Sequence, residues 1–200
     1  NNHYDVNIVN CRAVAGTGAS GFYIGAQITG QGTIVKNCTF HVSSDAVYVF
    51  GNPEVEVGPN RVLNGTPVSF SAGRPSPGFK YYGNGTYTAT ITGFSVTQTE
   101  TVYWAANGGT VTLSWYNDIT GTSASAGSNL DGMPLFLSPN AAGNNFPLIA
   151  VDNGATLPSA YGVMVNTTGQ ILLLPDPILT SWTTSGTKTI VAQSVTYPYN

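Results

Sequence analysis

Two glutamates, Glu54 and Glu56, alternate with Val55 and Val57. In an extended strand that alternation sends both valines to one side and both carboxylates to the other, with Cα atoms roughly 6.6 Å apart. Most glycosidases work with two carboxyl groups, about 5–5.5 Å apart for retention and about 6.5–9.5 Å for inversion. The side chains of this pair reach either separation, and the same pattern also describes a solvated outer face. Asp45, ahead of Ala46-Val-Tyr-Val49, is a third candidate that reaches toward a groove between subunits, although Asp in a Ser-Ser-Asp run ordinarily forms a turn. Eliminative cleavage of a uronate would instead need a base beside cations, and Arg61, Arg74 and Lys80 are the basic cluster on offer. His3 and His41 have no acidic neighbour in sequence, so each reads as an ordinary surface or core histidine.

Binding chemistry is the other possibility. A polysaccharide presents hydroxyls and apolar ring faces, so its binder needs flat aromatic rings among neutral hydrogen-bonding groups. The chain has Trp104, Trp115, Trp182 and 11 tyrosines to supply them. Trp104 and Trp115 flank one hairpin, where an aromatic fills a core or pairs across strands. Trp182 sits in a turn-rich stretch and is the better candidate for an exposed sugar platform, unless a subunit interface covers it. Cys11 and Cys38, each after an Asn, recur at equivalent places and read as free thiols rather than a metal or redox pair, because Cys-x-x-Cys and Cys/His spacings are missing. Asp118, Asp131 and Asp152 sit in turn contexts without the spacing of a calcium loop. No metal and no cofactor is expected, and Gly16-Thr-Gly18 lacks a phosphate-loop pattern.

Composition narrows the partners. Charged residues make up 8% of the chain, hydrophobic residues 42%, and the net charge is −3. Disorder usually couples low hydrophobicity to high charge, which is the opposite balance. Six Lys and Arg cannot cover a phosphate backbone, so nucleic acid is not the partner. No apolar run approaches the roughly 20 residues of a membrane span, and the opening Asn-Asn-His-Tyr-Asp is not a signal peptide.

The elements that would position these residues are strands. Val6-Asn-Ile-Val-Asn-Cys11 and Gly21-Phe-Tyr-Ile-Gly-Ala26 return as Thr33-Ile-Val-Lys-Asn-Cys38 and Ala46-Val-Tyr-Val-Phe-Gly51. A third, degraded copy runs from Glu54 through Asn60 to Val68-Ser-Phe70. Recurrence about every 25 residues is how stacked coils of a parallel β-helix read. Three coils need further stacked units or a cap, so the expectation is the end of a longer protein. Residues 1–72 form these coils, and 73–85, rich in Gly and Pro, form a connector without regular structure. Residues 86–200 change to antiparallel strands, with one hairpin across Asn107-Gly-Gly109 and a second pairing 161–165 with 171–174. Further strands are expected at 134–137, 147–151 and 189–195, giving a β-sandwich of jelly-roll type.

Over residues 86–200, Gly109-Thr-Val-Thr-Leu113, Ile119-Thr-Gly-Thr-Ser123, Leu130-Asp-Gly-Met-Pro134, Val151-Asp-Asn-Gly154 and the run from Ser185 to Tyr197 resemble, in that order, the carboxy-terminal domain of bacteriophage tail fibres and tailspikes. The preceding coils resemble the end of the right-handed β-helix that carries such a domain. The resemblance implies a homotrimer on the virion tail, assembled in the host cytoplasm, that attaches to a bacterial surface polysaccharide such as lipopolysaccharide or capsule. In many relatives the protein also cleaves that glycan. Two alternatives stay open: the chain itself is the depolymerase, through Glu54 and Glu56, or it is a bacterial β-helix adhesin.

Overall fold

The computed structural model of the protein describes residues 6–14, 22–24, 32–49, 54–71, 75, 78–139, 144–157, 159–165, 168–176 and 181–198. All but one of the regular elements among them are strands; the exception is a single 3-10 turn, Leu135–Leu137. The expectation of an all-β chain holds. His3, Arg74 and the Gly16 turn lie outside the described residues.

The amino-terminal strands are short, each limited by a corner. β1 (Asn7–Val9), β2 (Arg12–Val14) and β3 (Phe22–Ile24) make one pass; β4 (Thr33–Lys36), β5 (Thr39–His41) and β6 (Asp45–Val49) make the next; β7 (Val55–Val57), β8 (Arg61–Val62) and β9 (Thr66–Phe70) make the third. Strands stack in parallel, β1 on β4 on β7, β2 on β5 on β8, and β3 on β6 on β9. Each pass therefore has three strands where the repeat suggested two, because β2, β5 and β8 are too short to show a period. Asn10 and Asn37 make the corner before β2 and β5 with φ of 56° and 54°, a left-handed conformation that Asn tolerates better than other side chains. In the third pass Gly58 takes that place with φ of 97°. Asn60 ties the corner down: its Oδ1 accepts from the Cys38 N–H at 2.9 Å and its Nδ2 donates to the Val35 carbonyl at 3.0 Å.

The second half begins earlier than its glycines suggest. β10 (Lys80–Ile91) runs straight through Gly83-Asn84-Gly85, so residues 73–85 are not a structureless connector throughout. A Cβ at Gly85 would stand 2.8 Å from the Trp104 ring, and one at Gly83 would stand 3.0 Å from Tyr81. These glycines make room for aromatic rings lying over the strand. β10 pairs in parallel with β7 at Lys80 and Tyr81, and along its other edge antiparallel with β11 (Gln98–Gly108). β11 turns through Gly108, φ 64°, into β12 (Thr110–Trp115), the expected Asn107-Gly-Gly109 hairpin.

Beyond β12 the chain alternates between sheets. β13 (Ile119–Thr122) leaves for a smaller sheet, β14 (Ser128–Asp131) pairs with the end of β10, and β15 (Asn145–Pro147) and β16 (Ala150–Asp152) divide the strand expected at 147–151. β17 (Ala155–Leu157) pairs with β16, and β18 (Tyr161–Val165) forms the second expected hairpin with β19 (Gln170–Leu174). The strand expected at 189–195 is also two, β20 (Thr187–Ile190) and β21 (Gln193–Pro198), in different sheets. Trp115 fixes that corner by donating its indole N–H to the Val191 carbonyl at 2.9 Å. Residues 134–137 form the 3-10 turn, not a strand, and the Tyr197 hydroxyl donates to the Leu137 carbonyl at 2.7 Å. The main sheet follows β1-β4-β7-β10-β14-β19-β18-β15, with β11, β12 and β21 branching from β10, and the smaller sheet follows β13-β20-β16-β17.

A line of aromatic contacts crosses the junction. Phe70 meets Phe79 edge-on at 4.9 Å, Phe79 lies 6.3 Å from Tyr81, and Tyr81 lies 5.1 Å from Phe136 and 5.8 Å from Trp104. Tyr81 is buried deeply enough that its phenol is pushed up to about 12. Tyr87 is raised by the same cause, and its buried hydroxyl has no hydrogen-bond partner. A buried, unpaired hydroxyl costs about 1–3 kcal/mol, so Tyr87→Phe is expected to stabilise the fold by about 1 kcal/mol. In the unfolded chain phenols ionise near 10. The contribution of these tyrosines is thus complete below that pH and lost as the pH rises toward 12. Urea midpoints at neutral and alkaline pH should show both the gain and a shallower alkaline decline for the variant. An unchanged or lower midpoint at neutral pH would count against the unpaired hydroxyl.

Candidate functional site

The three acidic candidates do not assemble into one site. Val55 and Val57 face inward and are buried, as the alternation required, and Glu56 faces outward, where its carboxylate forms an ion pair with Lys36. That contact raises the Lys36 pKa, and the same ammonium sits 5.2 Å from the Tyr82 ring. Glu54 is exposed just ahead of β7, its side chain lying against Gly78. Asp45 stands on β6, in a different ladder, and accepts hydrogen bonds from Ser69 and from Ser44. Glu56 is thus neutralised by a lysine, and Asp45 is held by serines in a separate sheet. Lys80 is in register with Glu56 and Arg61 with Thr39, so the basic residues also lie in separate ladders.

The tryptophans are all interior. Trp104 and Trp115 retain 7% and 1% of their exposure and belong to the core. Trp182 retains 2%, which overturns the expectation of an exposed sugar platform. Its backbone N–H donates to the Ala126 carbonyl at 3.2 Å and its indole N–H to the Leu173 carbonyl at 2.8 Å, folding the turn-rich segment back onto the sheet. Its ring covers Lys188, whose ammonium lies 4.8 Å from the indole and 5.4 Å from Phe94 and donates to the Gly93 and Ser125 carbonyls. Burial lowers the Lys188 pKa while nearby Asp152 raises it, and burial is the larger influence.

Of the aspartates in turn contexts, Asp131 accepts from the Gln170 side-chain amide at 2.5 Å and the other two hold backbone. Asp152 accepts from the Thr183 N–H and hydroxyl at 2.9 and 2.6 Å, and Asp118 accepts from the Ala192 N–H at 2.7 Å. Among the described residues no group of three His, Cys, Asp or Glu could hold a metal ion. Both cysteines are free, Cys38 buried with its thiol donating to the Lys36 carbonyl and Cys11 exposed. No helix among the described residues is long and apolar enough to cross a membrane.

What the structure does assemble is a surface on the outward side of β10, β11, β12 and β21. Strand alternation buries Val102, Trp104 and Ala106 of β11, so Tyr103 and Ala105 must face outward. Register then sets Thr86 and Ser114 on either side of Tyr103, and Asn84 and Thr112 on either side of Ala105. Tyr116, just past β12, leans its ring on Tyr103 with centroids 4.9 Å apart and planes at 47°, and these rings keep 68% and 44% of their exposure. Together these side chains line a shallow concavity of about 340 Å³. At its β21 border the hydroxyls pair across strands, Thr112 with Thr196 at 2.9 Å and Ser114 with Ser194 at 2.7 Å. None of the lining residues is charged. Sequence reading passed over Tyr103 because tryptophans drew the attention. The signal was available, since the neighbour of an inward Trp104 on a strand has to point outward.

No protein-family pattern matches the chain, and no curated protein matches it in sequence. Among solved structures it is similar to the reovirus attachment protein sigma1, determined in complex with alpha-2,3-sialyllactose, at 14% identity and a TM-score of 0.38. The match covers 58% of this chain and 64% of that one, so the chain spans less than two thirds of the neighbour's length.

Proposed function

We propose that this chain is a receptor-binding part of a bacteriophage tail protein, in which the last coils of a right-handed parallel β-helix join an antiparallel β-sandwich. In this reading it assembles as a homotrimer on the virion and holds a bacterial surface polysaccharide through the outward face of β10, β11, β12 and β21. The observation that carries the binding half is the concavity itself: two exposed tyrosine rings amid hydroxyls and an amide. Rings of that kind stack on the apolar faces of sugars, while Asn84, Thr86, Thr112 and Ser114 offer donors and acceptors to sugar hydroxyls. We assign cleavage to the parent protein rather than to this region, a reading supported by the ion pair of Glu56 with Lys36 and by the serine contacts of Asp45.

The test is binding to purified lipopolysaccharide and capsule, with and without Tyr103→Ala and Tyr116→Ala together. Each aromatic contact is worth about 0.5–1.5 kcal/mol beyond its area, so the double variant should bind about 10–100-fold more weakly. Both rings are exposed, so the variant is expected to keep its melting temperature. Wild-type binding that survives the double substitution would remove the assignment. Light scattering addresses assembly separately, and a monomer at micromolar concentration would end the trimer half.

A further inference from the structure

We infer that the Tyr103 and Tyr116 concavity takes a neutral pyranose, a hexose or N-acetylhexosamine unit, and discriminates against uronate, sialate or phosphorylated sugars. The inference rests on the glycan-binding reading above and names the class of sugar. Its first support is where the charges are. On the outward face, Lys80 and the Lys36 and Glu56 pair sit at the coil end of β10, beside Tyr82 and not at Tyr103. Tyr82 and Thr86 are four residues apart on one strand, so those cations lie roughly 13 Å from the ring pair, beyond about 8 Å of screening at physiological salt. The carboxylates next along the chain and bonding network supply no cation either: Glu100, in the inward phase of Val102 and opposite buried Ala89, accepts from the Asn117 amide at 3.0 Å, and Asp118 accepts from the Ala192 N–H. Among the described residues, an anionic sugar bound here would lose water without gaining a cation.

The second support is the hydroxyl pairing. In Thr112 with Thr196, and in Ser114 with Ser194, either oxygen can be the donor. Each pair spends one O–H internally and keeps one O–H and several lone pairs for a ligand, and reversing the internal bond moves the free donor from one strand to the other. A sugar hydroxyl, itself donor and acceptor, is matched by either arrangement. A carboxylate, which only accepts, uses half of that capacity.

The experiment compares galactotetraose with tetragalacturonate, which differ only by a hydroxymethyl or a carboxylate at C6, within a panel of neutral hexose and N-acetylhexosamine oligosaccharides. Saturation-transfer NMR and titration on the full chain give the affinities at low and high salt. The expected result is that neutral members bind at least tenfold more tightly than their acidic counterparts, with little salt dependence, and that Tyr103→Ala with Tyr116→Ala abolishes this. Thr86→Lys, at the exposed rim, should bring the acidic partner up to parity at low salt. If the acidic oligosaccharide binds equally or better through the same tyrosines, the neutral selection is wrong while the glycan site stands. If neither oligosaccharides nor whole polysaccharides bind, both fall. If the tyrosine variants change the size of the assembly and leave sugar binding intact, the face lies between copies of this chain and the inference is overturned.

Discussion

Replacing Gly58 by alanine is expected to destabilise the chain by on the order of 4 kcal/mol. Gly58 has a φ of 97°, where a side chain is strained whatever its surroundings. Its surroundings are also closed, because an added Cβ would lie 2.0 Å from the carbonyl oxygen of Tyr82. That oxygen belongs to β10, which pairs with β7 immediately before the glycine. Relief would require β10 to move away from β7, and with it the ring of Tyr81, which contacts Phe79, Phe136 and Trp104. Gly109→Ala is the internal comparison: a Cβ there meets nothing within 4 Å, so its effect should be within about 0.5 kcal/mol. Urea unfolding of the two variants decides the matter, and similar midpoints would refute the steric argument.

Trp182→Ala is expected to cost about 3–5 kcal/mol, first through the cavity and then through what the cavity exposes. The indole fills space beside Leu173, donates to its carbonyl, and shields Lys188. Lys188→Met should be far milder, within about 1 kcal/mol of the native protein, since a buried charge exchanged for an apolar side chain of similar length removes its desolvation cost. With the lysine's folded pKa below its ordinary value, the unfolded state binds the extra proton. The penalty is present at neutral pH and disappears as the pH rises through the folded value toward 10.5. In the Lys188→Met background that alkaline gain should vanish. The outcome that defeats the account is a Trp182→Ala variant as stable as Lys188→Met.

Some of this was legible in the chain and some was not. The three passes announced themselves because Asn10 and Asn37 must adopt an uncommon backbone conformation and because valines must alternate to fill the interior. The Asn107-Gly-Gly109 hairpin was equally plain, since few residues tolerate a positive φ at a tight turn. β10 was hidden for the reason that makes it work: Gly83 and Gly85 read as breakers, but they accommodate rings contributed by Tyr81 and by Trp104 of the facing strand. The splitting of 189–195 was also illegible, because the corner at Val191 and Ala192 is held by Trp115 and Asp118, more than 70 residues earlier. Trp182 misled because a turn-rich segment is exposed only when nothing draws it inward, and the Leu173 carbonyl, Lys188 and the distant Ala126 carbonyl do so. The concavity is composed of residues from three strands and one loop, and composition alone gives no register.

β10 also imposes a constraint of parity. Its odd-numbered residues Tyr81, Ala89 and Ile91 point inward, and the same phase carries across to Val57 of β7 on one edge and Val102 of β11 on the other. A strand has a period of two, so one residue added or removed between Tyr82 and Thr86 would invert one side of the junction relative to the other. Either Tyr81 would leave the aromatic line, or Thr86 and Thr88 would enter the core in place of Tyr87 and Ala89. The stacked parallel passes and the antiparallel half therefore form a single frame, and any recombination of one with a new partner must cut outside this strand or change it by even steps.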